Sequence, residues 1–296
     1  MASTVGFVGV GNMGRPMALN LVKKGFTLVV HDVDPSKLEP LRAKGAKVMD
    51  SAEQVAAATS RMICMVETTA QAESVITGEH GFIKSAALGS IVICMSTIDP
   101  LVLKRMGGEL ATRGIAMLDA PVSGGTERAI SGELSIIGGG EATTFDACRD
   151  LFSAMGARIF HVGALGQGLA MKLVNNMLVQ VNTVAVAEAL VMGVKAGLDP
   201  RTIYDVIRVS TGNSYAFDAR VPRILARDFS PTGTVDISFK DQELETAFAK
   251  QLGVPVFLAN VSEQIYQMAR AAGLGKEDGT AIIKVLERLA GIQVKG

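Results

Sequence analysis

Along the first half of the chain, short apolar runs rich in β-branched residues alternate with segments whose apolar positions recur every three or four residues. The runs TVGFVGV, TLVVHD, RMICMV, SIVICMS and AMLDAP have the length of strands, and ELSIIGG and ARIFHV carry the series to about residue 162. Segments beginning near Met13, Ser36, Thr69 and Asp99 have helical periodicity. Strand and helix in this alternation imply right-handed crossovers and a parallel sheet covered by helices. After HVGALGQG the rhythm changes. Gly168 to Gly197 reads as one helix, and beyond Asp199 only helical patterns follow, separated at GLDP, DFSPTG, LGVP and GLGKEDG. The expectation is an α/β class protein, with a parallel-sheet domain over residues 1–162 and an all-α domain over 163–296. The absence of a flexible linker predicts that the two share a fixed cleft.

Composition narrows this picture. A length of 296 residues suits two domains, and 48% hydrophobic with 20% charged residues builds an ordinary core, which excludes a disordered chain. Twenty-nine basic residues balance twenty-nine acidic ones, which argues against a dedicated nucleic-acid binder. Cys64, Cys94 and Cys148 are an odd set without paired ligand spacing. They are expected as reduced core residues of a cytoplasmic protein, with neither a disulfide framework nor a metal site. No charged leader precedes the first apolar run, so no secretory signal is expected. The stretch LVNNMLVQVNTVAVAEALVMGVKAGL is long enough to span a bilayer, but Asn175, Asn176, Gln180, Asn182 and Glu188 would be costly in lipid. It is expected to lie within protein, with no membrane association. Its apolar and small-residue faces point to a homodimer or homotetramer.

Candidate chemistry begins at the N-terminus. In TVGFVGVGNMGRPMALNL, Gly9, Gly11 and Gly14 stand after a strand and at the mouth of a helix, with Asn12 and Met13 completing the turn. Gly9 permits the tight turn, Gly11 lets backbone approach a pyrophosphate, and Gly14 lets helix and strand pack closely. The amide dipoles at the helix start would face the phosphates. The motif alone is weak, since glycine turns are common, but the next strand ends in VVHDVD. Asp32 lies 18 residues past Gly14, near the spacing of a ribose-binding acid. Together these predict a Rossmann-type dinucleotide-binding domain. An aspartate here accepts from ribose hydroxyls and repels a 2′-phosphate, and Val33, Asp34 and Pro35 follow rather than an arginine, so NAD is favoured over NADP.

Three further stretches fall at the carboxyl edge of the sheet or beside it. In DAPVSGG, Ser123, Gly124 and Gly125 offer a hydroxyl and open amides to an anion, although the same string also makes an ordinary turn. In STIDP, Thr97 can reach a ligand, or Ser96 and Thr97 can cap the next helix. Gly168, Lys172 and Asn176 are spaced i, i+4, i+8 on one helical face, with Gly168 leaving space beside it. A desolvated lysine can trade protons near neutral pH, whereas a surface lysine merely snorkels. The position of this helix, where the first domain ends, favours the former. Lys240 in FKDQELE is either a surface lysine or a cleft-facing charge that Asp241 orients.

Taken in order over essentially the whole chain, GFVGVGNMGRPMALNL, STIDP, DAPVSGG, GALGQGLAMKLVNN and the Lys240–Asp241 pair resemble the β-hydroxyacid dehydrogenases. Within that group SGGT, SYA and GLGKEDGTAIIKV are most similar to the 2-(hydroxymethyl)glutarate dehydrogenase branch. The resemblance implies reversible hydride transfer between a small 3-hydroxy carboxylate and its semialdehyde. It implies that Lys172 is the catalytic general acid/base, that Ser123, Gly124, Gly125 and Asn176 hold the substrate, and that Thr97 and Lys240 lie at the cofactor. The family usually reads Leu-Pro after the fourth strand; here Met65 and Val66 stand there, followed by Glu67, and the backbone contact to the cofactor is expected to persist. Tyr215 occupies a place often held by tryptophan near the substrate, so that wall differs. Arg128 and Arg220 are candidates to hold a second substrate carboxylate. The competing readings are a nucleotide-binding sensor or interaction protein of the same fold, an imine reductase and a 6-phosphogluconate-type reductase; retention of Lys172 argues against the first two.

Overall fold

The apolar runs become strands because both faces of the sheet they form are covered. The computed structural model describes residues 4–296. Its first unit, ending at Lys172, contains one sheet of nine strands among the described residues. These are β1 (Thr4–Val8), β2 (Thr27–His31), β3 (Lys47–Val48), β4 (Arg61–Cys64), β5 (Ile91–Cys94), β6 (Ala116–Asp119), β7 (Val122–Ser123), β8 (Leu134–Gly139) and β9 (Gly156–Gly163). The order is β3-β2-β1-β4-β5-β6-β8-β7, with β9 beside β8. The helices are α1 (Gly14–Lys23), α2 (Glu39–Arg42), α3 (Ala52–Ala57), α4 (Thr69–Ile76), α5 (Pro100–Ala111), α6 (Gly125–Ser131), α7 (Ala142–Asp146) and α8 (Arg149–Met155).

Alternation divides the core between the two faces. Phe7, Ile63, Ile93 and Leu118 pack on one side with Met17, Leu21 and Phe152. Cys64, Cys94, Met62 and Val92 pack on the other with Leu103 and Met106. All three cysteines are buried free thiols in this core. Strands β1 to β6 pair in parallel, as expected. The expectation of a wholly parallel sheet is corrected at one edge, where β8 runs antiparallel to β6 and β7. The physical reason is length: a parallel return needs a crossover of about a dozen residues or more, and between β7 and β8 stands only α6, a helix of 7 residues.

A single helix, α9 (Gln167–Lys195), crosses from the first unit into the second, Leu173–Gly296. The units divide after Lys172 rather than at the expected 162/163, although the last strand does end at Gly163. The opening turn of α9 is bound to the sheet by Asp119, fully buried at the end of β6. Its carboxylate accepts the N–H of Gly166 at 2.7 Å and of Leu169 at 2.6 Å. Burial, the larger effect, raises the Asp119 carboxyl above its ordinary range, against those backbone bonds.

The second unit holds α10 (Pro200–Ile207), α11 (Tyr215–Leu225), α12 (Val235–Gln251), α13 (Phe257–Ala271) and α14 (Ile283–Ala290). The side chains of Asp199, Ser214 and Thr234 cap α10, α11 and α12. Phe217, Val221, Phe239, Tyr266 and Ile282 form its core with Val184 and Leu190 of α9. Asp278, wholly buried, ties this unit together. It pairs with Arg220 at 3.1 Å and accepts the hydroxyls of Thr232 at 2.6 Å and Thr280 at 2.8 Å.

On α9 some polar residues are buried beside apolar ones. Lys172, Asn176, Gln180 and Thr183 are buried, while Met171, Val174, Leu178 and Met192 are 47%, 51%, 54% and 72% exposed. The helix is apolar and long enough to cross a membrane, yet Lys172, Asn176, Gln180 and Thr183 are buried within protein together with Leu173, Val184 and Leu190.

Candidate active site

The turn requires glycine at two of its three positions, each for its own steric reason. Gly9 adopts φ +92°, and a Cβ on it would lie 2.3 Å from the Met65 carbonyl oxygen. A Cβ on Gly14 would lie 1.9 Å from the Gly9 carbonyl oxygen and 3.2 Å from the Phe7 ring. At Gly11 a Cβ would meet nothing within 4 Å, so no protein atom requires a glycine there. Helix α1 begins without a side-chain cap and without an acid in its first turn, which leaves its N-terminal dipole unopposed. Asn12 is exposed and Met13, half-buried, is the residue before the helix. The Thr126 hydroxyl lies 3.9 Å from the Met13 sulfur, which places the start of α6 beside the turn.

Asp32 does more than its spacing showed. One carboxylate oxygen accepts the Val10 N–H at 2.7 Å and the other the Asp34 N–H at 2.9 Å, so the acid braces the glycine turn. Each oxygen retains a lone pair for a ribose hydroxyl. At the ends of β4 and β5, Met65 N–H donates to the Val8 carbonyl at 2.9 Å, and Val66 N–H donates to the Ser96 hydroxyl at 2.7 Å. Glu67 is exposed, and its N–H donates to Gln71 at 2.9 Å, next to the Thr68–Gln71 capping box of α4. Thr97 is half-buried. The cap on α5 is neither Ser96 nor Thr97 but Asp99, whose carboxylate accepts from Leu101 at 2.7 Å and Val102 at 3.4 Å.

Ser123 ends β7, and Gly124 and Gly125 lead into α6 with φ +134° and +71°. Both are left-handed, which accounts for glycine at each. The Arg128 side chain lies over Gly124, whereas nothing stands within 4 Å of a Cβ on Gly125. The expectation that Gly168 leaves space beside the lysine is corrected. A Cβ there would lie 2.4 Å from the Ile137 carbonyl oxygen and 2.8 Å from Asp119, so this glycine is where α9 and β8 touch backbone to backbone.

Lys172 is only 9% exposed, so little of its side chain reaches water. One turn later, Asn176 donates its amide to Asp241 at 2.8 Å and accepts from Asn175 at 3.1 Å. The other oxygen of Asp241 pairs with the Lys240 ammonium at 3.0 Å. Asp241 therefore joins Asn176 on α9 to Lys240 on α12, a link from residues 65 apart that spacing could not show. Tyr215 opens α11 and is 76% exposed. Arg220, a candidate for a second substrate carboxylate, is committed instead to Asp278. Among the described residues no cluster of three or more His, Cys, Asp or Glu could hold a metal ion.

A family model described as the NAD binding domain of 6-phosphogluconate dehydrogenase matches residues 4–163. One described as the NAD-binding of NADP-dependent 3-hydroxyisobutyrate dehydrogenase matches residues 166–286. The 2-(hydroxymethyl)glutarate dehydrogenase of Eubacterium barkeri is 37% identical over 99% of this chain and 97% of its own length. The mitochondrial 3-hydroxyisobutyrate dehydrogenase of Homo sapiens is 35% identical over 95% of this chain and 86% of its own. The solved 3-hydroxyisobutyrate dehydrogenase of Mycobacterium tuberculosis superposes with a TM-score of 0.91 at 31% identity, over 97% of this chain and 99% of that one. Its motifs, its two-part architecture and relatives aligned along nearly its full length agree: the chain belongs to the β-hydroxyacid dehydrogenases, NAD(P)-linked oxidoreductases of the CH–OH group.

Proposed function

We propose that this protein interconverts a small 3-hydroxy carboxylate and its semialdehyde with NAD, using Lys172 as general acid/base. The observation that carries the reading is an ammonium-bearing side chain only 9% exposed, one helical turn before an asparagine fixed by a buried aspartate. The residues present fit a dinucleotide. Gly11 has room in front of it that no protein atom fills, and α1 starts with an uncapped, acid-free first turn. Gly9, Gly11, Asn12, Met13, Gly14, Asp32, Met65, Val66, Thr97 and Lys240 would hold the dinucleotide, which when bound supplies the hydride acceptor or donor. Asp32 with Val33, rather than a cation, beside it favours NAD over NADP.

In this reading the Ser123 hydroxyl and the amides of Gly124 and Gly125 hold the substrate carboxylate, with Tyr215 at the substrate's side. Lys172 removes the hydroxyl proton during oxidation and returns it during reduction. Asn176 keeps a second N–H on its amide nitrogen, besides the one given to Asp241, for the substrate oxygen. The substrate class comes from the named relatives, and a panel decides within it: 3-hydroxyisobutyrate, glycerate, threonate and 2-(hydroxymethyl)glutarate, each with NAD and NADP, following absorbance of the reduced cofactor. On the best substrate, Lys172→Ala should lower kcat by about 10²–10⁴-fold. Near-normal turnover by that variant would refute the assignment.

The exposed apolar stripe of α9 is proposed to be covered by a second copy of the chain, as a homodimer or homotetramer. Exposed Glu188 on the same helix disfavours lipid as the cover. Buried free thiols accord with a reducing compartment such as the cytoplasm.

A further inference from the structure

The hydroxyl of Ser96 has a task that helix capping does not account for, since Asp99 already caps α5. Ser96 is fully buried just past the end of β5. The backbone ladder between β4 and β5 extends to the bond from Met95 N–H to the Cys64 carbonyl, at 2.8 Å. Beyond it, the next inward donor of the β4 strand end, Val66 N–H, goes to the Ser96 hydroxyl at 2.7 Å. A side chain thus takes the next bond after the last backbone one between these strand ends. The held segment also walls the glycine turn. A Cβ on Gly9 would lie 2.3 Å from the Met65 carbonyl oxygen and 2.9 Å from a Val66 methyl. Shifting Met65 and Val66 therefore shifts the surface against which Gly9 is packed.

We propose that Ser96 is a positioning residue for the dinucleotide: its buried hydroxyl fixes the Val66 N–H, and with it the Met65–Val66 backbone and the adjoining glycine turn, in the conformation that receives the cofactor. The proposal rests on the reading of Met65 and Val66 as cofactor contacts. Replacing the hydroxyl leaves Val66 N–H without its acceptor and frees the segment to move, so the loss falls on the dinucleotide rather than on the hydroxy acid.

The test compares wild type, Ser96→Ala and Ser96→Thr by calorimetric titration with NAD, steady-state kinetics and thermal melting. Ser96→Ala should raise the NAD Kd by about tenfold, the effect of an unmade buried hydrogen bond. The hydroxy-acid KM at saturating NAD should stay within about twofold, and Ser96→Thr, which keeps the hydroxyl, should restore most of the NAD affinity. A folded Ser96→Ala protein with the wild-type Kd overturns the proposal, even if it melts earlier, because the hydroxyl would then be structural only. A Ser96→Thr protein as weak for NAD as Ser96→Ala overturns it too. Should Ser96→Ala not fold, Ser96→Cys replaces it, with only a weak acceptor and the same two outcomes. Wild-type protein that binds no dinucleotide defeats the functional reading itself, whereas normal binding by wild type and variant alike defeats the role of Ser96 alone.

Discussion

Two alanine substitutions three residues apart should fail in opposite ways. At Gly14 the added methyl would sit 1.9 Å from the Gly9 carbonyl oxygen, a backbone atom that cannot swing aside. Overpacking of this kind costs about 1–3 kcal/mol or more, and the gain in helix propensity returns about 1 kcal/mol. A net loss of up to about 2 kcal/mol lowers Tm by up to about 4–8 °C in a domain of this size. At Gly11 the same methyl meets no protein atom within 4 Å. Its effect on folding should stay within about 1 kcal/mol, because the loss of unfolded-chain freedom is the main term. The methyl would instead occupy the approach of the pyrophosphate, where a steric conflict of about 1–3 kcal/mol weakens NAD by about 5- to 150-fold. Urea unfolding without cofactor and calorimetric titration with NAD separate the two. Gly14→Ala should unfold early, and Gly11→Ala should fold normally but bind poorly. A Gly11→Ala protein with wild-type NAD affinity, or a Gly14→Ala protein with the wild-type unfolding midpoint, would show that the turn is used differently.

Asp278 gives a pH-dependent prediction. Burial, the largest influence, pushes its carboxyl up, but the Thr232 hydroxyl, the Arg220 guanidinium and the Thr280 bonds outweigh it and hold it below the ordinary carboxylate value of 3.8. A depressed carboxylate contributes stability that is present above its unfolded pKa and lost as pH falls through the folded one. Asp278→Asn should therefore cost about 3–5 kcal/mol at neutral pH by breaking a buried ion pair, with the difference from wild type shrinking below about pH 4 in urea melts. A gap that does not change with pH would contradict the ion-pair account. Asp241→Ala removes the acceptor of both Asn176 and Lys240, and should lower kcat/KM for the hydroxy acid by at least about tenfold. Asp241→Asn, which keeps an oxygen for the Asn176 amide, should recover part of that loss in the same kinetic assay.

These residues also show what the sequence made legible. Seven strand runs and the long helix stand out because apolar period and turn residues are local signals, and the glycine turn is legible for the same reason. Strands β3 and β7, two residues each, are too short for any alternation to register. The antiparallel edge depends on how few residues α6 spans, which a loop-like string such as SGGTERAISGE does not announce. The Asp119 clasp on Gly166 and Leu169 bridges 47 and 50 positions, and the Asp241 link bridges 65, so neither has a local signature. Spacing placed Gly168 correctly on the lysine face, but it could not tell a glycine that yields room to a ligand from one that yields room to a neighbouring strand.

The unbroken course of α9 has a consequence for how such an enzyme can diversify. Lys172 and Asn176 ride on one rigid rod, so their offset of about 6 Å along its axis is inherited from helical pitch. With Lys172 and Asn176 acting as proposed above, changes in other helices would recut the shape and charge around a new hydroxy acid while that interval stays calibrated. Only an insertion or deletion within this rod, which would rotate one group away from the other by about 100° per residue, disturbs it directly.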